Sequence, residues 1–142
     1  MIRFSTVELW SFWDFTYLNG HNPIEEWFRN GLSEESQLAF WKVLKDCQKT
    51  ESSINWVAFK RFLSGKYREF RIWELIFYSD RRQHRIFGIF GPERKQATLL
   101  MGCYHKGKVY NPPDAMETAY KRAGLLSRRE VIYSERKIPV DR

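Results

Sequence analysis

Hydrophobic and polar positions first alternate over residues 6–17, TVELWSFWDFTY. Val7, Leu9, Trp13, Phe15 and Tyr17 fall on one parity; Glu8, Asp14 and Thr16 fall on the other with Trp10 and Phe12. β-Branched and aromatic side chains near period two predict a strand. Asn19-Gly20 and Asn22-Pro23 then punctuate the chain. Asn22 is placed to cap a helix, because its side-chain oxygen accepts from the open amides of a first turn. Pro23 has no amide to lose at the first helical position, and Glu25 and Glu26 sit where the helix dipole is positive. This helix is expected from Pro23 to about Arg29, ended by Asn30-Gly31. Ser33 caps a second, with Glu34 and Glu35 in its first turn. Leu38, Trp41, Leu44 and Cys47, widened by Phe40 and Val43, make an apolar stripe that runs to about Lys49.

Residues 51–65 carry no clear period, and Trp56 to Leu63 reads as a helical turn or a loop lying over a sheet. From Glu69 the pattern returns to strands: EFRIWELIFYSD, a turn at Arg81-Arg82, HRIFGIFG, a turn at Gly91-Pro92-Glu93-Arg94, then QATLLMGCYH. Three strands at short spacing predict an antiparallel meander, with Arg71 and Arg85 both inside strands. Asn111-Pro112-Pro113-Asp114 opens a last helix with Met116, Ala119, Tyr120 and Ala123 on one face and Gly124 as its stop. The expected fold is α+β: an N-terminal strand, two helices, a three-strand meander and a C-terminal helix packed on one sheet as a single pair of layers. The first strand is expected to join the sheet beside a member of the meander. Residues 1–126 are expected to form one domain. Residues 127–142 are a basic extension, for which a short strand at Glu130–Tyr133 and a flexible tail both stay open.

A chain of 142 residues fits one domain with a core of its own. Its 11 Phe, 7 Tyr and 6 Trp argue against disorder, since disordered chains lack large apolar side chains. The net charge of +7 is polarised. Residues 1–50 hold five basic and seven acidic side chains (−2), residues 51–142 nineteen and ten (+9). Such a balance suits nucleic acid, ribosome, anionic membrane or an acidic protein. Cys47 and Cys103 make no CxxC pair, there is no cleavable apolar leader, and no run approaches the roughly 20 apolar residues of a membrane span, so a reducing cytoplasm is expected. His21, His84 and His105 show no metal-ligand spacing, and phosphate-loop, dinucleotide and nucleophile-elbow motifs are absent, so neither metal nor cofactor is expected.

What remains is a basic set around the meander: Lys60, Arg61, Lys66, Arg68 and Arg71 at its first strand, Arg81, Arg82 and Arg85 at the next turn. His105, Lys106 and Lys108 follow, beside Tyr104 and Tyr110. A strand arginine must point to one face, and a buried one needs a partner such as Glu69 or Glu74, or an anionic ligand. For Arg71 and Arg85 an ion pair and a phosphate site both stay open.

The stretch YHKGKVYNPPDAMETA, residues 104–119, resembles the RelE/HigB superfamily of bacterial toxins, in its phage-derived HigB-like branch. Tyr104, Lys106, Pro112, Met116 and Ala119 fall at the positions of that branch's F-x-K-K-x-x-x-x-P-x-x-x-[IL]-x-x-A, with Lys106, Pro112 and Ala119 identical to it. Glu69-Phe70-Arg71 resembles its Glu-Leu-Arg, and His84-Arg85-Ile86-Phe87 its Tyr-Arg-Ile-Leu. Asn19-Gly20 through Pro23 and Trp27-Phe28 resemble its first helix. The sequence departs from the pattern at Gly107, where the family has a second lysine, and at Tyr104. The resemblance implies a RelE-like fold and a ribosome-dependent endoribonuclease that cuts mRNA in the decoding site by attack of the 2′-OH on its own phosphodiester, without a metal. It implies mRNA, rRNA and a cognate antitoxin, of helix-turn-helix type, as partners. Arg71, Arg85, His105 and Lys106 are then the catalytic candidates; Lys60, Arg61, Lys66, Arg68, Lys108 and Tyr110 are the RNA-binding ones. Arginine suits two phosphate oxygens at once, histidine titrates near neutrality, and a tyrosine ring stacks on an unstacked base. His84 stands beside His105 as the other histidine, read on its own as an exposed residue near a turn. The alternative is a non-catalytic binding protein of the same fold that engages the ribosome or another host factor. No helix-turn-helix is recognisable, which disfavours a DNA-binding regulator.

Overall fold

The computed structural model describes residues 9–50 and 52–139. The elements are β1 (Ser11–Thr16), α1 (Pro23–Glu26) opening into a wider π turn (Trp27–Gly31), α2 (Glu34–Lys49), β2 (Phe59–Phe62), β3 (Trp73–Ser79), β4 (Arg82–Phe90), β5 (Gln96–Lys106), β6 (Val109–Asn111), α3 (Ala115–Ser127) and β7 (Ile132–Arg136). Of the strand expected at 6–17, residues 6–8 lie outside the described residues. The helix starts are as the caps imply. Asn22 Oδ1 accepts from the Ile24 and Glu25 amides, each at 2.9 Å, and Ser33 Oγ from the Ser36 amide at 3.2 Å.

Among the described residues seven strands form one mixed sheet in an α+β molecule, in the order β2-β3-β4-β5-β1-β7, with β6 also on β5. β1 joins β5 in parallel, and every other pairing is antiparallel. The Asp80-Arg81 turn between β3 and β4 has both φ angles positive, +53° and +62°. That geometry matches the twist of a two-residue hairpin.

The sheet carries helices on both faces, which corrects the single pair of layers. Trp73, Leu75 and Phe77 of β3 join Ile86, Ala97, Leu99, Phe12, Phe40 and Leu44 under α1 and α2. Phe87, Leu100 and Cys103 face the other way, onto Ala115, Ala119 and Ala123 of α3. Strand alternation produces this: residues one apart point to opposite faces, and near-continuous apolar runs mark a sheet covered twice. Gly102 lets the Trp27 indole lie on β5, because a Cβ there would stand 2.2 Å from the ring.

Three further readings change, and one left open is decided. The 56–63 segment contains an edge strand, β2, rather than a helical turn or a loop. Arg71 is not in a strand: residues Gly65–Phe70 coil as a 3-10 turn, Arg71 ends it in the left-handed region (φ +54°), and β3 begins only at Trp73. Gly124 does not stop α3, which continues to Ser127 with the Phe70 ring 3.8 Å from where a Gly124 Cβ would lie. In the C-terminal extension, residues Ile132–Arg136 are a strand on β1. Arg136 there is buried, with Nε 2.8 Å from Asp14 Oδ1 and Nη2 2.6 Å from both Asp14 Oδ2 and Glu25 Oε2. Its guanidinium also faces the rings of Phe28, Phe40 and Trp41 at 5.2, 5.8 and 5.5 Å. No helix among the described residues is long and apolar enough to cross a membrane.

Candidate functional site

Alternation along β3, β4 and β5 puts Glu74, Gln83, Arg85, Cys103 and His105 on the face shared with α3. Register then brings them together, since Glu74 pairs with Phe87, Arg85 with Cys103 and Gln83 with His105. Glu74 is fully buried and is the hub. Its Oε1 accepts from Arg61 Nε at 3.0 Å. Its Oε2 lies 3.2 Å from Arg85 Nη1 and accepts from the Tyr110 hydroxyl at 2.7 Å. A buried carboxylate without such donors would be strongly disfavoured, so cations and acid are held as one unit.

Arg85 is 6% exposed. Its Nη2 donates to Gln83 Oε1 at 2.8 Å and reaches His105 Nδ1 at 3.3 Å, while Nε has no partner among the described residues. A guanidinium only donates, so Nδ1 accepts and the proton of neutral His105 sits on Nε2. That Nε2 is buried and also has no hydrogen-bond partner among the described residues. Burial, then the Arg85 charge, hold His105 below the usual imidazole range, so the ring is neutral at pH 7. Tyr110 packs edge-on against His105, with ring centres 4.3 Å apart. Burial, then the bond to Glu74, push its phenol up to about 12, so it stays a donor. Burial likewise pushes the Cys103 thiol to about 12, which leaves it no thiolate at neutral pH.

The structure therefore brings together Arg61, Arg85, His105 and Tyr110 of the sequence candidates. Lys106 and Lys108 lie exposed at the tip of the β5–β6 hairpin, whose turn has Gly107 at φ +66°. Lys60 is exposed on β2 and Arg68 on the 3-10 turn. Lys66 pairs with Glu117 of α3 at 2.6 Å. Arg71 stands over the Phe62 ring at 5.5 Å, outside the cluster. His84 is not an exposed turn histidine. It is buried on the opposite face, stacked on Phe77 and within 3.3 Å of Ser36 Oγ and 3.2 Å of the Ser79 carbonyl. Glu74 appeared in the sequence only as one of two counterions, and Gln83 not at all. A lone carboxylate between Trp73 and Leu75 was the available signal.

Among the described residues no group of three or more His, Cys, Asp or Glu side chains converges as a metal site. No protein-family model matches the chain, and comparisons with curated proteins and with solved structures give no match.

Proposed function

We propose that this protein is a ribosome-dependent mRNA endoribonuclease of the RelE/HigB toxin kind. One observation carries the reading: a buried arginine and a neutral histidine, Arg85 and His105, meet at 3.3 Å beside a protonated tyrosine. They sit at the base of a hairpin with two exposed lysines, in two segments, residues 84–87 and 104–119, whose sequences resemble that family. Cleavage by the 2′-OH needs three things: removal of the 2′ proton, a proton for the leaving 5′ oxygen, and donors on the phosphorane oxygens. Arg85 is the donor for the phosphorane. When Arg85 Nη2 turns from His105 Nδ1 to the phosphate, that nitrogen is free to accept the 2′ proton and then to deliver it to the leaving 5′ oxygen, with Tyr110 and Arg61 bordering the ring. Lys106 and Lys108 track the RNA backbone outside. In this reading the protein works in the cytoplasm, on mRNA in the ribosomal A site with rRNA around it, and a helix-turn-helix antitoxin restrains it.

A second reading has its own support. Glu74 already neutralises Arg85, which suits a protein that holds the ribosome or another host factor without cutting, since phosphate contacts need no proton transfer. Induction in bacteria separates the two. Cleavage ends within translated codons, present only with ribosomes, support the nuclease; arrest with intact mRNA supports the binder, and unaffected growth removes both. Arg85→Ala is expected to cut cleavage by about 100-fold, the usual loss when a transition-state donor is removed. Its fold is expected to persist, because Glu74 keeps Arg61 and Tyr110. Unchanged cleavage would take Arg85 out of the site.

A further inference from the structure

The β5–β6 hairpin does not lie flat. β6 pairs β5, and β5 is two strands from β3, so Tyr110 and Glu74 are three strand spacings apart. At ~4.8 Å each that is roughly 14 Å in a flat sheet, more than a tyrosine side chain spans. Yet the Tyr110 hydroxyl is 2.7 Å from Glu74 Oε2. The hairpin must therefore curl over the face, with the Tyr110 ring against both Phe87 (5.4 Å) and His105 (4.3 Å). The same phenol accepts from Arg61 Nη2 at 3.3 Å. One carboxylate on β3 thus ties β2 through Arg61, β4 through Arg85 and β6 through Tyr110.

Building on the endoribonuclease reading, we infer that Glu74 is the positioning residue of the site: it clasps the β5–β6 hairpin over the sheet through Tyr110 while orienting Arg85 toward His105. Glu74 touches no reacting atom in this account. It acts by fixing the distance between the phosphate donor on β4 and the imidazole on β5, and by carrying the exposed lysines with the hairpin. It also sets the charge. Two guanidiniums and one carboxylate leave a single positive charge beside a neutral His105, which matches one phosphodiester.

The test is Glu74→Gln, which keeps the volume and removes the charge and one strong acceptor. Three readouts follow in the folded variant. The Tyr110 phenol, followed by NMR of its ring carbons against pH, is expected to titrate below its wild-type midpoint, because the carboxylate that favours the protonated phenol is gone. Amide exchange at residues 106–109 is expected to accelerate relative to β4. In translating extracts kcat is expected to fall about 10-fold or more with KM for the message changed less than threefold, as displacement of the reacting groups predicts. A folded variant with wild-type Tyr110 titration and wild-type hairpin exchange would overturn the clasp. Where Glu74→Gln does not fold, Tyr110→Phe decides, since it removes only the phenol and leaves both arginine pairs. Faster hairpin exchange in that variant supports the clasp, and unchanged exchange overturns it. If the wild-type protein cuts no RNA, the nuclease reading fails while titration and exchange still decide whether Glu74 holds the hairpin.

Discussion

His84 and His105 lie on opposite faces of one sheet, and burial is the first cause that holds each below the ordinary imidazole range. His105 lies between Arg85 and Tyr110, whereas His84 is locked between Phe77 and α2. The lowered folded pKa has a definite consequence for stability. The unfolded chain takes up the proton first, so the contribution of each histidine is complete above the unfolded value of roughly 6.5 and is lost as pH falls through the folded pKa. Stability is therefore expected to drop as pH falls from about 7 to about 5, with a slope of at most about 1.4 kcal/mol per pH unit for each histidine. His84→Gln is expected to flatten that slope without touching the Glu74 cluster. Urea unfolding followed by tryptophan fluorescence at several pH values measures it. An unaltered slope in His84→Gln would mean that His84 is protonated as easily folded as unfolded.

At the scale of elements, β7 is held on β1 by a five-residue antiparallel ladder and by one buried side chain. Arg136 reaches Asp14 of β1 and Glu25 of α1, and Asp14 is itself 3% exposed, with Asn22 Nδ2 as a further donor, at 2.9 Å. Removing the arginine strands a buried carboxylate, which typically costs about 3–5 kcal/mol. Arg136→Ala is expected to lower the thermal midpoint sharply, and Asp14→Asn added to Arg136→Met to recover part of the loss, because the double change removes both charges. Equal midpoints for wild type and Arg136→Ala would show that β7 holds without this pair. The same residue explains why only the start of β7 was legible in the sequence, as the possible short strand at Glu130–Tyr133. Arg136-Lys137 reads as a solvated tail, and its counterion lies 122 residues away, so only the tertiary fold reveals the pairing. β1, β3, β4 and β5 were legible because large apolar, β-branched and aromatic side chains run between polar turns. β2 was not, because Phe59–Phe62 is an edge strand with three exposed residues, and its FKRF pattern carries no alternation. Arg71 misled because a left-handed residue leaves no trace in hydrophobic pattern, and Phe70 and Ile72 beside it imitate a strand. In the site, Arg85, His105 and Tyr110 could be picked by chemical type. Glu74 could not be ranked above Glu69, since its centrality comes from register, whereas Glu69 accepts from Tyr120 at the surface.

At the scale of the whole molecule, the net charge of +7 overstates what is free to act. Arg61 and Arg85 are committed to Glu74, Lys66 to Glu117 and Arg136 to Asp14 and Glu25. The hairpin tip is different: Lys106 and Lys108 are exposed, two residues apart, above the Glu74 cluster's edge. If these lysines contact phosphates, their contribution is counterion release, and it must appear in the salt dependence of binding as well as in affinity. For single-stranded RNA each neutralised phosphate adds about 0.7 to the slope of log K against log salt. Replacing both lysines by alanine is therefore expected to make that slope shallower by about 1.4, measured by fluorescence anisotropy with a short RNA between about 50 and 200 mM salt. Glu74→Gln is expected to act in the opposite sense on charge, since it adds a positive charge at the base of the site rather than removing one at the tip. An unchanged slope in the double-lysine variant would place the RNA contact elsewhere on the basic surface, and would separate the hairpin from the binding role assigned to it while leaving the buried arginine–histidine pair to be judged by cleavage.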